Sequence, residues 1–125
     1  MQVLRRTMTN ICSTRLAESR DFYTRLFDFQ VDYDSDWFVH LISEDKQLEL
    51  GIIQQDHAIV PEVARTSPHG FYLTFVVDDV DILFETAQAE GLEVIQAPED
   101  TFYGQRRLLL RDPNGVVVDV SAPMG

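Results

Sequence analysis

The chain has 125 residues, the length of one ordinary domain of roughly 100–150 residues. Its 45% hydrophobic and 25% charged residues are typical of a globular protein and exclude a disordered chain. A formal net charge of −11 disfavours nucleic acids and anionic membranes as partners, because both attract clustered Lys and Arg. The single cysteine, Cys12, excludes an internal disulfide and a thiolate zinc site. Without a long apolar run or a secretory leader pattern, the expected location is the cytoplasm.

The first half of the sequence predicts one helix among four strands. Alternating patterns predict strands over residues 8–14, 29–33, 37–42 and 47–53, and a three-and-four apolar spacing predicts a helix over 17–27. Ser19 is a candidate cap for this helix. In the fourth strand, Leu48, Leu50 and Ile52 share one face and Glu49 lies on the other.

The second half repeats this order of elements. Residues 54–70 contain two prolines and no period, which predicts a connecting loop. After it, the patterns predict strands over residues 71–77, 92–96, 105–111 and 116–120 and a helix over 80–89. Asp78 or Asp79 caps the predicted helix and Gly91 ends it, while residues 97–104 form a proline-containing loop.

The order β-α-β-β-β therefore occurs twice, which predicts an α+β fold of two βαβββ modules in a single domain over residues 1–125. Module one covers about residues 7–54, the connecting loop 55–69 and module two 70–121. Because one helix covers only one face of each sheet, two modules side by side would form a curled-sheet trough. Concave surfaces of this kind bind small molecules.

Four segments carry a resemblance to a known family. They are residues 19–27 (SRDFYTRLF), 70–80 (GFYLTFVVDDV), 103–107 (YGQRR) and 110–120 (LRDPNGVVVDV). In this order the chain resembles the vicinal oxygen chelate superfamily, which includes glyoxalase I, extradiol dioxygenases, fosfomycin-modifying enzymes and bleomycin-resistance proteins. The resemblance implies the two-module fold and a homodimer. It does not imply one reaction, because this fold hosts many activities.

Enzymes of this superfamily hold a divalent metal with one ligand from each of four strands. The resemblance places these ligands at Met8, Glu49, Tyr72 and Asp119. Two carboxylates are present but both imidazoles are absent, and neither a thioether nor a phenol replaces an imidazole well. We therefore expect no metal and no cofactor. Asn10 shares the orientation of Met8, and His69 lies close enough to the third position to supply an imidazole if the register differed.

The two carboxylates are candidate ligand-binding residues. Glu49 and Asp119 each alternate with apolar neighbours, at positions that the resemblance makes equivalent, so both are predicted to point into the trough. There they would attract a cationic ligand, and Tyr72 and Thr74 would share their side of the sheet. The alternative is that both carboxylates face solvent without a partner. Arg107 or its neighbour Arg106 would bind a carboxylate or an anionic group of the ligand.

Aromatic residues are candidates for stacking on a flat ligand, as the resistance proteins of this family use them. They are Trp37, Phe38, Phe102 and Tyr103. Because adjacent strand residues point in opposite directions, only one of Trp37 and Phe38 is predicted to face the pocket, and the other belongs to the core.

The histidines and the cysteine are weaker candidates. His40 shares a face with Phe38 and is either a structural residue or a pocket acid, base or metal ligand. His57 and His69 are predicted to face solvent, and Cys12 to be a small buried residue.

The function predicted from the sequence is metal-independent binding of a small cationic or aromatic molecule, similar to antibiotic-sequestering members of the family. The alternative is a metal-dependent enzyme, either a glyoxalase-like lyase or isomerase or a ring-cleaving dioxygenase. A third possibility is a module that binds no ligand and serves in a larger assembly.

Overall fold

The computed structural model describes residues 1–124, which form two compact units divided between Pro68 and His69. Each unit contains one helix and one four-stranded sheet, so the predicted α+β fold with its repeated β-α-β-β-β order is confirmed. No helix within residues 1–124 has the length and apolar character needed to cross a membrane.

The first unit is built on a mixed sheet. Its elements are β1 (Thr9–Ser13), α1 (Leu16–Leu26), β2 (Gln30–Asp34), β3 (Phe38–Ile42) and β4 (Glu49–Gln54). The strand order is β1-β4-β3-β2, with β1 parallel to β4 and the other pairs antiparallel. All five residues of the outer strand β2 are exposed. A short 3₁₀ helix, Glu62–Ala64, lies in the segment after β4.

Helix α1 covers one face of the first sheet. Phe22, Tyr23 and Leu26 are buried on the helix, which packs against β3 and β4. The sheet residues beneath it, such as Leu41 and Ile52, are fully buried. Because side chains alternate along a strand, Asn10, Cys12, Phe38 and their neighbours in register lie on the opposite face, which α1 leaves uncovered.

The second unit repeats the topology. Its elements are β5 (Tyr72–Val76), α2 (Val80–Ala89), β6 (Val94–Asp100), β7 (Gln105–Arg111) and β8 (Val117–Pro123). The strand order is β5-β8-β7-β6, with β5 parallel to β8. Leu108, Leu110, Val118 and Val120 are fully buried and form the centre of its core. Asp79 caps α2 by accepting hydrogen bonds from the backbone N–H groups of Asp81 (3.0 Å) and Ile82 (3.3 Å).

Two predicted features of the strands are wrong. The loop predicted over residues 97–104 is partly strand, because β6 continues through Pro98 to Asp100. This strand lies at the edge of its sheet and its register shifts near Pro98, and an edge position tolerates a residue without an N–H donor. Leu48 does not share the buried strand face of Leu50 and Ile52 but is 62% exposed, since β4 begins only at Glu49 and Leu48 closes the turn from Ser43.

The predicted cap of α1 is also wrong. The helix begins at Leu16, so Ser19 lies inside it, and its hydroxyl donates to the Arg15 carbonyl at 2.7 Å. Ser13 provides the polar contact at this end, because its hydroxyl accepts the Arg15 backbone N–H at 2.9 Å. The backbone N–H at the start of α1 is therefore bound by a side chain at the end of the preceding strand, β1.

Candidate functional site

A pocket of about 530 Å³ opens on the uncovered face of the first sheet. The lining residues that lie on the strands or directly before them are Met8, Asn10, Cys12, Trp37, Phe38 and Ile53. The segment after β4 supplies the rest of the lining, Ile59, Val60, Pro61 and Ala64. All of these residues belong to the first unit, and none of them is charged.

Both Trp37 and Phe38 line this pocket, so the prediction that one of them belongs to the core is wrong. Trp37 precedes β3 and lies in a turn in which the Ser35 hydroxyl accepts the backbone N–H groups of Trp37 (3.3 Å) and Phe38 (3.0 Å). Strand alternation therefore does not apply to residue 37. The two rings lie 5.5 Å apart between centroids, which gives the pocket an aromatic side.

His57 does not simply face solvent as predicted. Its ring stacks on the Trp37 ring with a centroid separation of 4.3 Å and an angle of 19°. Its Nδ1 atom accepts the Ile59 backbone N–H at 3.2 Å. These contacts connect the aromatic side of the pocket with the segment that forms the opposite lining. His69, by contrast, is exposed as predicted.

Further contacts fix the conformation of the segment after β4, and one of them joins this segment to the sheet. The Arg65 guanidinium donates to the carbonyls of Val60 (2.8 Å) and Ala58 (3.1 Å), and the Val60 side chain is buried. The Cys12 thiol donates to the Ala64 carbonyl at 3.3 Å. Cys12 is thus a half-buried pocket residue rather than a core residue, and burial raises the pKa of its thiol.

Beside this lining, four charged or titratable side chains form what we call the Glu49 cluster: Arg6, Asp32, His40 and Glu49. Arg6 Nε donates to both Glu49 oxygens, at 2.8 and 2.6 Å. His40 places Nε2 at 2.8 Å from Glu49 and Nδ1 at 2.9 Å from Asp32. The Glu49 side chain is only 10% exposed. Hydrogen bonding to Arg6 is the main cause that lowers the pKa of Glu49 to about 2.

The Glu49 cluster changes the interpretation of two predicted site residues. Glu49 has an internal cation as partner, so its charge is not available in full to a cationic ligand. His40 lies between two carboxylates, and only a doubly protonated imidazole donates to both of them. Arg6 was not a candidate in the sequence, because it lies 43 residues from Glu49 in a segment without a pattern.

The second predicted carboxylate, Asp119, is also paired within its own unit. Its side chain accepts hydrogen bonds from the hydroxyls of Thr74 (3.1 Å) and Ser121 (2.7 Å). Arg107 Nε lies 3.5 Å from it, and the Tyr103 hydroxyl lies 3.4 Å from Arg107 Nη1. Asp119 is 6% exposed, so the alternative of a solvent-facing carboxylate without a partner is wrong. Four predicted site residues therefore meet in the second unit.

Glu49 and Asp119 do not occupy equivalent positions in the two units. Asp119 pairs with Thr74 on β5, and Gly51 pairs with Asn10 on β1. Thr74 and Asn10 lie the same number of residues before the helix that follows each of them. The counterpart of Asp119 is therefore Gly51 rather than Glu49, and the equivalence taken from the resemblance is wrong by two residues.

The four positions that the resemblance assigns to metal ligands do not form a donor set suited to a transition metal. Met8 offers a thioether and Tyr72 a phenol, neither of which replaces an imidazole. Glu49 and Asp119 already accept hydrogen bonds within their units, and each has an arginine beside it. Within the described residues 1–124, no group of three or more His, Cys, Asp and Glu side chains is placed to hold a metal ion.

The remaining predicted aromatic residues belong to the second unit and are not among the lining residues of the pocket in the first unit. Phe102 is 100% exposed and Tyr103 is 50% exposed, in the turn between β6 and β7. Their rings meet edge to face at 5.2 Å. Tyr72 on β5 is 61% exposed. A role of these residues in binding stays a prediction.

Comparison with known proteins identifies the family. The sequence profile of the glyoxalase/bleomycin resistance protein/dioxygenase superfamily matches residues 5–120, and the chain belongs to this superfamily. No protein of curated function matches the chain significantly in sequence.

Solved structures agree with this assignment. A glyoxalase/bleomycin resistance protein/dioxygenase family enzyme from Burkholderia phytofirmans PsJN is 27% identical, with 94% of this chain and 97% of that chain covered and a TM-score of 0.80. A superfamily member from Sphaerobacter thermophilus DSM 20745 is 19% identical (96% and 98% covered, TM-score 0.76). A lactoylglutathione lyase from Agrobacterium tumefaciens is 18% identical (97% and 96% covered, TM-score 0.72). The last two similarities show the fold alone.

Proposed function

We propose that this protein binds a small planar aromatic molecule in the pocket of the first unit, without a metal ion. The observation that carries the proposal is that Trp37 and Phe38 both line a pocket of about 530 Å³ whose other lining residues are mostly apolar. Pockets for small molecules are typically about 300–1,000 Å³ and are lined mainly by apolar and aromatic side chains with few polar groups. An aromatic ring placed here gains roughly 0.5–1.5 kcal/mol per aromatic pair beyond area burial.

The charges of the first unit favour an aromatic ligand over a cationic one. The lining residues carry no charge, and the Glu49 carboxylate beside them is hydrogen-bonded to Arg6. A cation that entered the pocket would lose its hydration without gaining an unpaired carboxylate as its partner, and that loss is costly. A neutral ring meets no such penalty.

Metal independence is supported by the donor chemistry. Glu49 would have to exchange the Arg6 guanidinium for a metal ion, and Met8 at the first ligand position offers only a thioether. The superfamily name includes bleomycin-resistance proteins, which is compatible with a binding role, but membership itself does not choose between binding and catalysis.

Calorimetric titration with quinoline in the presence of a chelator tests the proposal. We expect saturable binding to one site per chain, with quenching of the emission of Trp37, the single tryptophan. Phe38→Ala is expected to weaken binding about tenfold, because it removes an aromatic contact and lining area. Phe71→Ala is the matched control, since it removes a partly exposed aromatic ring that does not line the pocket and should leave the affinity unchanged.

Two results would contradict the proposal. If quinoline does not bind, or binds equally to Phe38→Ala and the unaltered protein, the pocket is not an aromatic site. If binding appears only after manganese, nickel, zinc or ferrous ions replace the chelator, the metal-dependent lyase, isomerase or dioxygenase becomes the better function.

A further inference from the structure

The amide of Asn10 is placed in the pocket without an internal partner. Asn10 lies on β1 between the lining residues Met8 and Cys12 and is exposed to the pocket. Its side chain makes no hydrogen bond with any residue in the described range 1–124. A primary amide carries one acceptor oxygen and two N–H donors in one plane. Asn10 therefore presents a full set of neutral hydrogen-bonding groups to whatever occupies the pocket.

Gly51 provides the space in which this amide lies. It is buried and pairs with Asn10 across the parallel β1 and β4 strands. A Cβ atom at residue 51 would overlap Asn10 Oδ1 and would lie 3.1 Å from Cε1 of the Phe38 ring. The absence of a side chain at this position lets the amide rest on the sheet beside the aromatic side of the pocket. The sequence did not reveal this arrangement, because it depends on the pairing register.

The other polar groups at the pocket are either already engaged or, like the indole N–H of Trp37, offer a donor without an acceptor. The Cys12 thiol donates to the Ala64 carbonyl, and the lining contains no charged residue. The neighbouring Glu49 cluster pairs its own charges, as His40 and Arg6 both contact Glu49. Asn10 is thus the lining side chain that offers an acceptor and donors together, and it can select among ligands of similar shape because a buried polar group on either partner must be matched.

We propose that Asn10 determines the ligand class, and that the pocket selects a neutral planar ring with a lactam or carboxamide edge. Such an edge places a C=O next to an N–H, the complement of the Asn10 N–H and C=O. The inference rests on the proposed function, because it assigns the polar half of a site whose aromatic half is Trp37 and Phe38. According to this inference, specificity comes from the hydrogen-bonding groups on the edge of the ligand ring rather than from the charge of the ligand.

Titration with a matched pair of probes tests the inference. Quinoline and 2-quinolone have the same fused rings, but only 2-quinolone carries a lactam edge. We expect 2-quinolone to bind roughly tenfold more tightly than quinoline, as matched buried hydrogen bonds imply. Asn10→Leu should remove this preference, because it should weaken 2-quinolone about tenfold more than it weakens quinoline.

Gly51→Ala tests the position of the amide rather than its presence. The added methyl group displaces Asn10 Oδ1, so the 2-quinolone preference should fall although Asn10 is retained. Thr9→Leu is the control, since Thr9 is on the same strand and does not line the pocket. Circular dichroism spectra and thermal midpoints close to those of the unaltered protein show that each variant is folded.

The two proposals fail in different ways. If both probes bind with equal affinity to the unaltered protein, or if Asn10→Leu leaves the preference intact, the assignment of Asn10 is overturned while the aromatic site stands. If neither probe binds to the unaltered protein, the proposed function itself fails, and this inference fails with it.

Discussion

The Arg6 guanidinium binds both carboxylate oxygens of Glu49, 43 residues further along the chain. This contact holds the segment before β1 against the first residue of β4. Met8, two residues after Arg6, lines the pocket. The ion pair therefore fixes the start of the chain at the position where it completes the candidate site.

Replacement of Arg6 should change the acid stability of the protein. The pKa of Glu49 lies at about 2, below its ordinary value, so its contribution to stability is complete above that ordinary value of roughly 4.3 and is lost as the pH falls toward about 2. Arg6→Ala removes the main cause and should raise this pKa. We expect the thermal midpoints of the variant and the unaltered protein to differ above pH 5 and to converge near pH 2.

Calorimetric melts between pH 2 and pH 7 measure this difference. Arg5→Ala is the control, because Arg5 is exposed and its side chain makes no hydrogen bond or ion pair in the described part of the chain. A difference that is constant over the whole pH range would show that Arg6 does not act through Glu49.

Arg65 should affect ligand binding more than folding. Its side chain is exposed, but it donates to the carbonyls of Ala58 and Val60 in the segment that lines the pocket. Arg65→Ala should weaken quinoline binding about fivefold through greater freedom of this segment. Hydrogen exchange of residues 58–64 should rise, whereas the thermal midpoint should change little. An unchanged affinity together with faster exchange would contradict the role of this segment in the pocket.

Cys12 should react slowly with alkylating reagents. Burial raises the pKa of its thiol, so a smaller fraction is thiolate at neutral pH, and the thiolate is the reactive form. We expect the iodoacetamide rate at pH 7.5 to be well below that of glutathione and to fall further with bound quinoline. Mass spectrometry gives an unambiguous readout, since the chain has one cysteine. A rate that bound quinoline does not alter would place the ligand away from Cys12.

Asp79 should stabilise the second unit as the cap of α2. Asp79→Ala leaves the backbone N–H groups of Asp81 and Ile82 without their acceptor, at an expected cost of about 1 kcal/mol. Urea denaturation measures this change. The neighbouring Asp78→Ala is a matched control, because Asp78 is equally exposed and caps no N–H group. Equal effects of the two substitutions would show that net charge, rather than capping, is responsible.

Local signals explain which parts of the fold were predictable. The boundaries predicted for α2, residues 80–89, are confirmed as Val80–Ala89, because a capping aspartate and a glycine mark its two ends. Gly91 adopts a φ of 67°, a conformation that glycine tolerates and most residues do not. Helix α1 has no side-chain cap at its N-terminus, and the prediction of Ser19 as its cap is wrong.

Trp37 shows why part of the pocket was not predictable. The apolar run over residues 37–42 continues without a break into the turn before β3, so periodicity alone placed Trp37 in the strand. The hydrogen bonds of Ser35 to the next residues set the actual start of β3. Such short-range side-chain contacts compete with strand pairing, and the pattern of apolar residues does not record them.

The contacts between distant segments were not predictable from patterns at all. The Arg6–Glu49 ion pair and the packing of the Asn10 side chain against Gly51 both depend on the register between β1 and β4. The family resemblance identifies Glu49 as a candidate, but its partner, Arg6, lies in a segment without a periodic pattern and is not identified in this way. A one-residue change in register would move each side chain to the other face.

The exposed outer strand β2 has a consequence for handling the protein. A bare strand edge is a template for pairing with another molecule, and charged side chains are a common protection against aggregation. Asp32 and Asp34 supply negative charge on this edge, held in place by His40 and Arg20. The double substitution Asp32→Asn and Asp34→Asn would remove this charge and leave Val31 and Tyr33, which are 45% and 48% exposed, on an uncharged strand edge. Such an edge favours intermolecular strand pairing and precipitation of the protein.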